Sequence, residues 1–248
     1  MRISRKIACL LVLAACRLAC PALAASDVAV SGDVMIVAQG KQSRPGGARA
    51  ADASGVVVWL VPLDGPAGAA GKGMAGARVP QIIQRNKTFE PHVLAVQVGT
   101  VVAFPNEDPF FHNIFSLFDG KRFDLGLYEA GTTRSVRFDR PGVSFLFCNI
   151  HPQMSAVVVA VETPYFALSN RAGHWAIPGV PDGRYEMHVW YERSLPEDLK
   201  SFTRPVLISG STRSVDRMRI PQNPNFTLAH KNKYGQDYVP PPASDYGR

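Results

Sequence analysis

The chain has 248 residues, which is enough for one large domain or two small ones with hydrophobic cores. Its formal charge of +7 includes four basic residues among positions 1–25, where there is no acidic residue, so the remainder carries only +3. A charge this small excludes electrostatic attraction as an argument for nucleic-acid binding, and we expect no nucleic-acid partner.

Residues 1–25 have the composition of an export signal peptide. A basic start precedes an apolar run at 7–15, and Ala22-Leu23-Ala24 is a small-residue cleavage site. The apolar run is shorter than the about 20 residues that a membrane-spanning helix needs, so we expect no membrane span. The signal predicts a periplasmic protein that is cleaved near Ala24 or Ala25.

A second processing route starts from Leu13-Ala14-Ala15-Cys16. This motif resembles the lipobox of bacterial lipoproteins, in which the cysteine is lipidated and becomes the mature N-terminus. Simple cleavage and a lipid anchor at Cys16 are therefore alternatives.

The cysteines are distributed unevenly along the chain. Cys9, Cys16 and Cys20 lie in the signal, so cleavage after the signal leaves Cys148 alone. One cysteine cannot form an internal disulfide, and a free thiol is a liability in an oxidising compartment. We therefore expect the Cys148 sulfur to be engaged by another group.

After the signal, apolar residues occur in short runs between turns rich in Gly, Pro, Asn and Asp. Val, Ile and Phe dominate these runs, and several runs alternate with period two. The pattern predicts an all-β protein built from antiparallel sandwiches, without a helix longer than two or three turns. The predicted strands lie at 28–37, 55–63, 92–98, 100–104, 135–138, 142–147, 155–161, 185–191 and 204–209.

Changes in composition divide the chain. Segment 65–77 has five glycines in thirteen residues, which is typical of a linker or a long loop, and a second break falls at Glu162-Thr163-Pro164. These breaks enclose a predicted domain at 79–162. The polar, Pro-rich residues 223–248 predict an extended or disordered tail, pinned by its tyrosines at 234, 238 and 246.

The segments on either side of this domain share one pattern. Residues 27–64 supply VSGDVMIV and GVVVWLVPL, and residues 163–222 supply Gly173-His174-Trp175 and PDGRY at 181–185. Together they resemble the carboxypeptidase regulatory-like, or transthyretin-like, β-sandwich. The resemblance implies one small sandwich with the central domain inserted in it or adjacent to it. The alternative is a plain tandem, in which the N-terminal strands belong to the central domain.

The sequence CNIHPQM, Cys148–Met154, lies between two predicted strands. Thiolate, thioether and imidazole suit copper, and two histidines, one cysteine and a weak axial methionine are typical of blue-copper sites. His112 is a better candidate for the second histidine than His92, because it follows a strand and a polar turn 36 residues before Cys148. The alternatives are core packing of a free cysteine, and zinc, which a methionine ligand disfavours.

Residues 79–162 resemble the cupredoxins. The run F-x-P-x-x-L-x-V-x-x-G-x-x-V-x-F-x-N-x-D, a His-Asn pair and the loop C-x-x-H-x-x-M occur in the family's order. The short spacing from His to Met is most similar to that of amicyanins. The resemblance implies a Greek-key β-sandwich that binds one type 1 copper ion. Its implied ligands are the strong set His112, Cys148 and His151, with Met154 in the axial position.

The resemblance also implies roles for two residues that are not ligands. Asn113 matches the position after the first histidine, which helps to hold the cysteine sulfur. Ile150 stands where amicyanin-like loops often have proline, so its N–H can donate to the Cys148 sulfur and stabilise Cu(I). An apolar electron doorway is expected around the second histidine, from Pro109, Phe110, Phe111, Ile150, Pro152 and Phe115.

No pattern in the sequence indicates an enzyme. There is no G-x-S-x-G motif, and the acidic residues near the loop are scattered. We expect a carrier of single electrons between periplasmic redox proteins, and the amicyanin resemblance implies a tie to amine oxidation, as in methylamine utilisation. One alternative is a copper-binding module for storage, delivery or sensing, with the flanking sandwich as an interaction domain. Another is a purely structural, adhesin-like sandwich.

Overall fold

A computed structural model describes residues 29–38, 52–65, 79–117 and 120–238. The predicted signal with Cys16, most of the glycine-rich segment and Tyr246 lie outside the described residues. Among the residues that are described, no helix is long and apolar enough to cross a membrane.

The described residues form β-strands joined by turns, and helix is confined to one turn, α1 (Pro196–Leu199), and one following 3-10 turn (Lys200–Phe202). The all-β prediction is confirmed. The strands are β1 (Val30–Ala38), β2 (Val57–Pro62), β3 (Ile83–Arg85), β4 (Thr88–Glu90), β5 (Val93–Gln97), β6 (Val101–Pro105), β7 (His112–Ser116), β8 (Phe123–Tyr128), β9 (Thr133–Arg137), β10 (Gly142–Phe147), β11 (Ser155–Val161), β12 (Phe166–Leu168), β13 (His174–Ile177), β14 (Gly183–Trp190), β15 (Arg204–Ile208) and β16 (Ser214–Gln222).

The first sandwich consists of a three-stranded sheet, β13-β1-β16, and a four-stranded sheet, β12-β2-β14-β15. Alternate residues of β1 and β14 point into a common core whose largest side chain is Trp175. Gly32 of β1 lies opposite Trp175, and a Cβ at Gly32 would lie only 2.6 Å from the indole ring. Glycine at this position therefore makes room for the tryptophan.

Strands from both ends of the described chain meet in this sandwich. β1 pairs antiparallel with β13 and parallel with β16, and β2 pairs antiparallel with β12 and β14. Residues 79–162 lie between these partners in sequence, so the chain leaves the first sandwich after β2 and returns to it at β12.

The second sandwich is formed by strands β3 to β11. A five-stranded sheet, β5-β11-β10-β7-β8, faces two ribbons, β3-β4 and β6-β9. The ribbons are connected by the isolated β-bridges Gln81–Ala103 and Gln84–Asn106. β5 pairs parallel with β11, whereas the other neighbours in the large sheet are antiparallel. A separate apolar core, including Phe104, Phe138 and Leu146, fills the space between the two layers.

Strand β11 belongs to two apolar clusters at once. Ala156, Val158 and Ala160 face the core of the second sandwich, whereas Val157, Val159 and Val161 pack against Val57 and its neighbours in the first. Burial on both faces explains why SAVVVAV is apolar throughout instead of alternating. The strand that directly follows the CNIHPQM loop is therefore held between the two sandwiches.

Candidate metal centre

Two neighbouring strands bring the predicted ligands together. His112 is the first residue of β7, and Cys148 follows the last residue of β10. Because β7 and β10 are antiparallel, with Phe115 opposite Phe147, the start of one strand lies beside the end of the other. The loop that carries His151 and Met154 then turns back into β11.

Three ligand atoms converge at this edge of the sheet. The Cys148 Sγ lies 3.8 Å from Nδ1 of His112 and 3.6 Å from Nδ1 of His151. The ligand atoms of all three residues lie within 4.8 Å of one another. His112 and Cys148 are fully buried, and His151 is partly exposed. A thiol and two imidazole nitrogens are thus directed at one small volume, which can hold a metal ion.

The imidazole of His112 is oriented by a carboxylate. Its Nε2 lies 2.7 Å from Oδ2 of Asp108. The same carboxylate accepts backbone hydrogen bonds from the Asn86 N–H at Oδ1 and from the Lys87 N–H at Oδ2. Burial would raise the pKa of Asp108, but these three hydrogen bonds outweigh burial and lower it. An ionised Asp108 accepts a hydrogen bond from His112 Nε2–H, which leaves the lone pair of His112 Nδ1 for a metal.

Sequence reasoning missed Asp108. The available signal was the polar Asn106-Glu107-Asp108 turn four residues before His112. Its partners come from the β3–β4 hairpin, where Asn86 and Lys87 have positive φ angles of 53° and 56°. This turn geometry directs both N–H groups at one carboxylate, and that arrangement carries no sequence motif of its own.

The ligand loop is closed by its own backbone. The Met154 N–H donates to the carbonyl of His151 at 3.0 Å, and the Cys148 N–H donates to the carbonyl of Met154 at 3.2 Å. The Met154 side chain is fully buried in the same apolar cluster as Cys148. All four predicted ligands therefore lie in or beside one compact turn at the edge of the second core.

Backbone N–H groups surround the Cys148 sulfur. Burial raises the pKa of the Cys148 thiol, and hydrogen bonds from the N–H groups of Asn113, Ile150 and His151 lower it in part. The Ile150 N–H, which proline would remove, is one of these three donors. The same donors would stabilise a thiolate bound to a metal.

Asn113 follows His112, and His151 lies in the loop after Cys148; the two side chains have different surroundings. The Asn113 side chain donates to Oδ1 of Asp124 on β8 at 2.7 Å, and its own Oδ1 is buried without a hydrogen-bond partner among the described residues. The pKa of His151 is lowered to about 4, by burial first and then by electrostatic interaction with His112 and Lys87. His151 is therefore neutral above that pH, which is the form that binds metals.

An apolar rim lies on the solvent side of the site. Phe111 is 55% exposed and Ile150 is 44% exposed. The ring of Phe110 lies 5.2 Å from that of His112 and 5.8 Å from that of His151. Pro109 and Pro152 are also exposed. Phe115 does not belong to this patch, because it is buried and packs on Phe147 inside the sheet.

The other side of the loop is covered by residues 223–238, which form neither helix nor strand. The Tyr238 hydroxyl donates to the carbonyl of Cys148 at 2.7 Å, and the Lys233 N–H donates to Oδ1 of Asn149 at 3.0 Å. The sequence analysis expected tyrosines, including Tyr238, to pin this segment, but it did not identify their partners, which are a backbone carbonyl and a loop amide 84 to 90 residues away.

Comparison with known proteins finds similarity at the level of solved structures. No family model matches the chain, and no curated protein matches it. A Cu-containing nitrite reductase from Thermus scotoductus SA-01 is 26% identical with a TM-score of 0.32, over 34% of this chain and 22% of the reductase. A purple cupredoxin from Nitrosopumilus maritimus is 28% identical with a TM-score of 0.31, over 33% of this chain and 99% of that protein.

A Cu(I) amicyanin variant is 20% identical with a TM-score of 0.32, over 35% of this chain and 88% of amicyanin. The structural neighbours are thus cupredoxins and a cupredoxin-containing enzyme, and this chain spans about a fifth of the length of that enzyme.

Proposed function

We propose that this chain is an exported type 1 copper protein that carries single electrons between periplasmic redox partners, as an amicyanin-like carrier. The observation that carries the proposal is the convergence of His112 Nδ1, Cys148 Sγ and His151 Nδ1 at one edge of the second sandwich. Two imidazoles and a thiolate form the trigonal set of blue-copper sites.

The donor set fits copper better than zinc. Met154 is buried in the same cluster as Cys148, and its thioether would be the fourth ligand. Thioether is a soft donor that suits copper, whereas structural zinc sites use cysteine, histidine and carboxylate. Asp108 orients the His112 imidazole, and the lowered pKa of His151, about 4, keeps that ring neutral over the physiological range.

When bound, copper supplies a one-electron couple between Cu(I) and Cu(II). The residues of this chain keep the ligands in place as the charge changes. Asp108 fixes the His112 ring, three N–H groups hold the Cys148 sulfur, and the buried setting of His112 and Cys148 excludes water. Coordination by all four residues would leave no open position on the copper for a substrate, so we propose an electron carrier and not an enzyme.

We also propose a contact surface for redox partners and a periplasmic location. His151 is the most exposed of the ligands, and the rim of Phe111, Ile150, Pro109 and Pro152 around it offers a redox partner an apolar contact surface. The signal-like composition of residues 1–25 supports a periplasmic location, with Cys16 as the site of lipid attachment in the alternative route. We also propose a link to amine oxidation, because the short spacing from His151 to Met154 is most similar to that of amicyanins.

The test is an absorption spectrum of the purified protein after addition of Cu(II), with metal analysis. We expect one copper per chain and an intense thiolate-to-copper band that bleaches on reduction and returns on oxidation. Cys148→Ser should abolish the band. A colourless protein that binds only Cu(I) would contradict the carrier function and support storage or delivery, and a zinc-loaded protein without affinity for Cu(II) would contradict copper.

A further inference from the structure

Residues 223–238 form a strap that runs from the first sandwich to the ligand loop. The strap follows β16 directly, and its first contacts are with the first sandwich. The Asn223 N–H donates to the carbonyl of Arg193 at 2.8 Å, and the Arg193 guanidinium lies 5.8 Å from the centre of the Phe226 ring. One end of the strap is therefore fixed on the first sandwich, whereas the predicted metal ligands lie in the second.

The middle of the strap packs on the strand that leads to Cys148. The His230 ring stacks on that of Phe147, with centroids 4.0 Å apart and planes 28° from parallel. The Lys233 ammonium pairs with Asp124 at 2.7 Å, and Asp124 also accepts the side-chain amide of Asn113. The strap therefore contacts Phe147, which precedes Cys148, and Asp124, which binds the side chain of Asn113 next to His112.

The end of the strap binds the ligand loop. The Lys233 N–H donates to the side chain of Asn149, and the Tyr238 hydroxyl donates to the carbonyl of Cys148. The proton positions follow from the acceptors. His230 Nδ1 lies 3.1 Å from the carbonyl of Lys231, so this nitrogen carries the proton, and it also lies 3.2 Å from the Tyr238 oxygen. The Tyr238 oxygen accepts a hydrogen bond from His230 Nδ1–H, and the Tyr238 hydroxyl donates to the backbone carbonyl of Cys148.

This arrangement acts on a backbone group between two ligands. Within the Cys148–Met154 loop, one hydrogen bond joins the two ends and a second joins Met154 to His151, and the Tyr238 contact is an external hydrogen bond at the first residue. A hydrogen bond that fixes the Cys148 carbonyl limits rotation of the Cys148–Asn149 peptide plane, which precedes Ile150 and His151.

We propose that Tyr238 is a positioning residue that holds the Cys148–Met154 loop in its ligand-binding conformation and keeps the Cys148 sulfur covered, with or without metal. The inference deepens the proposed copper function and rests on it for the metal-loaded form. It goes beyond that function because it assigns a role to a segment that extends from the first sandwich.

The test compares Tyr238→Phe with Tyr234→Phe in the full chain. Both variants remove one hydroxyl from the strap, but Tyr234 is 71% exposed and its ring faces Lys233 instead of the loop. In the metal-free protein, alkylation of Cys148 by iodoacetamide is followed by peptide mass. We expect Tyr238→Phe to accelerate it about fivefold, the factor for one lost hydrogen bond, and Tyr234→Phe to leave it unchanged. Equal rates in the two variants would overturn the proposal.

A second measurement uses the Cu(II)-loaded protein. We expect Tyr238→Phe to release copper to EDTA about fivefold faster than Tyr234→Phe and to shift the thiolate-to-copper band, which a change in global stability alone would not do. An acceleration that appears only near the unfolding midpoint would overturn the proposal. Failure of every variant and of the parent to bind copper would contradict the proposed function, while the metal-free alkylation rates would still decide the role of Tyr238.

Discussion

Asp108 and His112 form a buried pair in which the carboxylate Oδ2 lies 2.7 Å from the imidazole Nε2. The carboxylate is held in turn by two backbone N–H groups of the β3–β4 turn, so it cannot follow the ring if the ring moves. A charged, immobile partner does two things for a metal-binding histidine. It selects the tautomer that leaves Nδ1 free, and it makes that nitrogen a stronger donor.

The first prediction concerns the charge of Asp108. Asp108→Asn removes the negative charge beside His112, so the oxidised, more positive copper centre loses stabilisation. We expect the reduction potential to rise and the affinity for Cu(II) to fall about 10- to 100-fold, as for other residues that support metal ligands. Voltammetry and competition with a Cu(II) chelator measure the two effects.

Glu107→Gln is the matched control for Asp108→Asn. Glu107 is the preceding residue and undergoes the same change of charge, but its side chain is exposed and pairs with Arg85 on the surface. We expect its potential to stay close to that of the parent, because solvent screens an exposed charge. A similar rise in both variants would show that net charge, and not the His112 contact, sets the effect.

The second prediction concerns the N–H of Ile150. Ile150→Pro removes one of the three backbone donors to the Cys148 sulfur, so the thiolate donates more electron density and favours Cu(II). We expect a lower reduction potential by voltammetry. Ile150→Ala keeps the N–H and removes the exposed apolar side chain, so its potential should stay near that of the parent. An unchanged or higher potential in Ile150→Pro would refute this role.

The third prediction concerns the axial position. Met154→Leu conserves the buried volume, at a cost below about 1.5 kcal/mol in the free energy of unfolding, and removes the thioether. We expect the thiolate-to-copper band to remain and the reduction potential to rise, because a weak axial donor to Cu(II) is lost. Met187→Leu, at a fully buried position in the first sandwich, is the control and should leave the potential unchanged.

Some of the site could be predicted from the sequence because it is local. Cys148, His151 and Met154 occupy one seven-residue turn, so any fold that closes this turn brings them near one another. His112 could be proposed because a polar turn and a strand end precede it. The run SAVVVAV indicated a strand, and the structure explains its lack of alternation by packing against both sandwiches.

The remaining contacts depend on distant backbone. Asp108 acts through N–H groups that only a left-handed turn at Asn86 and Lys87 can present together, and Tyr238 acts on a carbonyl 90 residues away. Carbonyl and N–H groups occur at nearly every residue, so such partners cannot be read from residue types. Phe115 was assigned to the surface patch for its apolar character, which cannot distinguish an exposed ring from a buried one.

The fourth prediction concerns pH and the His92–Glu192 pair between the sandwiches. His92 Nε2 lies 2.7 Å from the Glu192 carboxylate, and Nδ1 lies 3.0 Å from the carbonyl of Ser155. Both partners are acceptors, so both nitrogens carry protons. The hydrogen bond to Glu192 raises the pKa of His92 against the opposing effect of burial. The stabilisation is therefore complete below the unfolded pKa of about 6.5 and is lost as pH rises through the folded value.

The measurement for this pair is the unfolding midpoint as a function of pH. We expect the difference between the parent and His92→Gln to be largest below pH 6.5, the ordinary pKa of histidine, and to shrink as pH rises. His174→Gln is the control, since the His174–Asp33 pair is exposed on both sides and should contribute little. A difference that grows with pH would contradict the assignment of a protonated His92.

The last prediction tests the packing of the first sandwich at Gly32. Gly32→Ala places a Cβ 2.6 Å from the Trp175 ring, which is buried between two sheets and cannot move aside freely. We expect a loss of about 1–3 kcal/mol in the free energy of unfolding, the usual cost of overpacking. Gly210→Ala, where no atom lies within 4 Å of the added Cβ, should be close to neutral. Chemical denaturation measures both, and equal stability in the two variants would mean that Trp175 has room to shift.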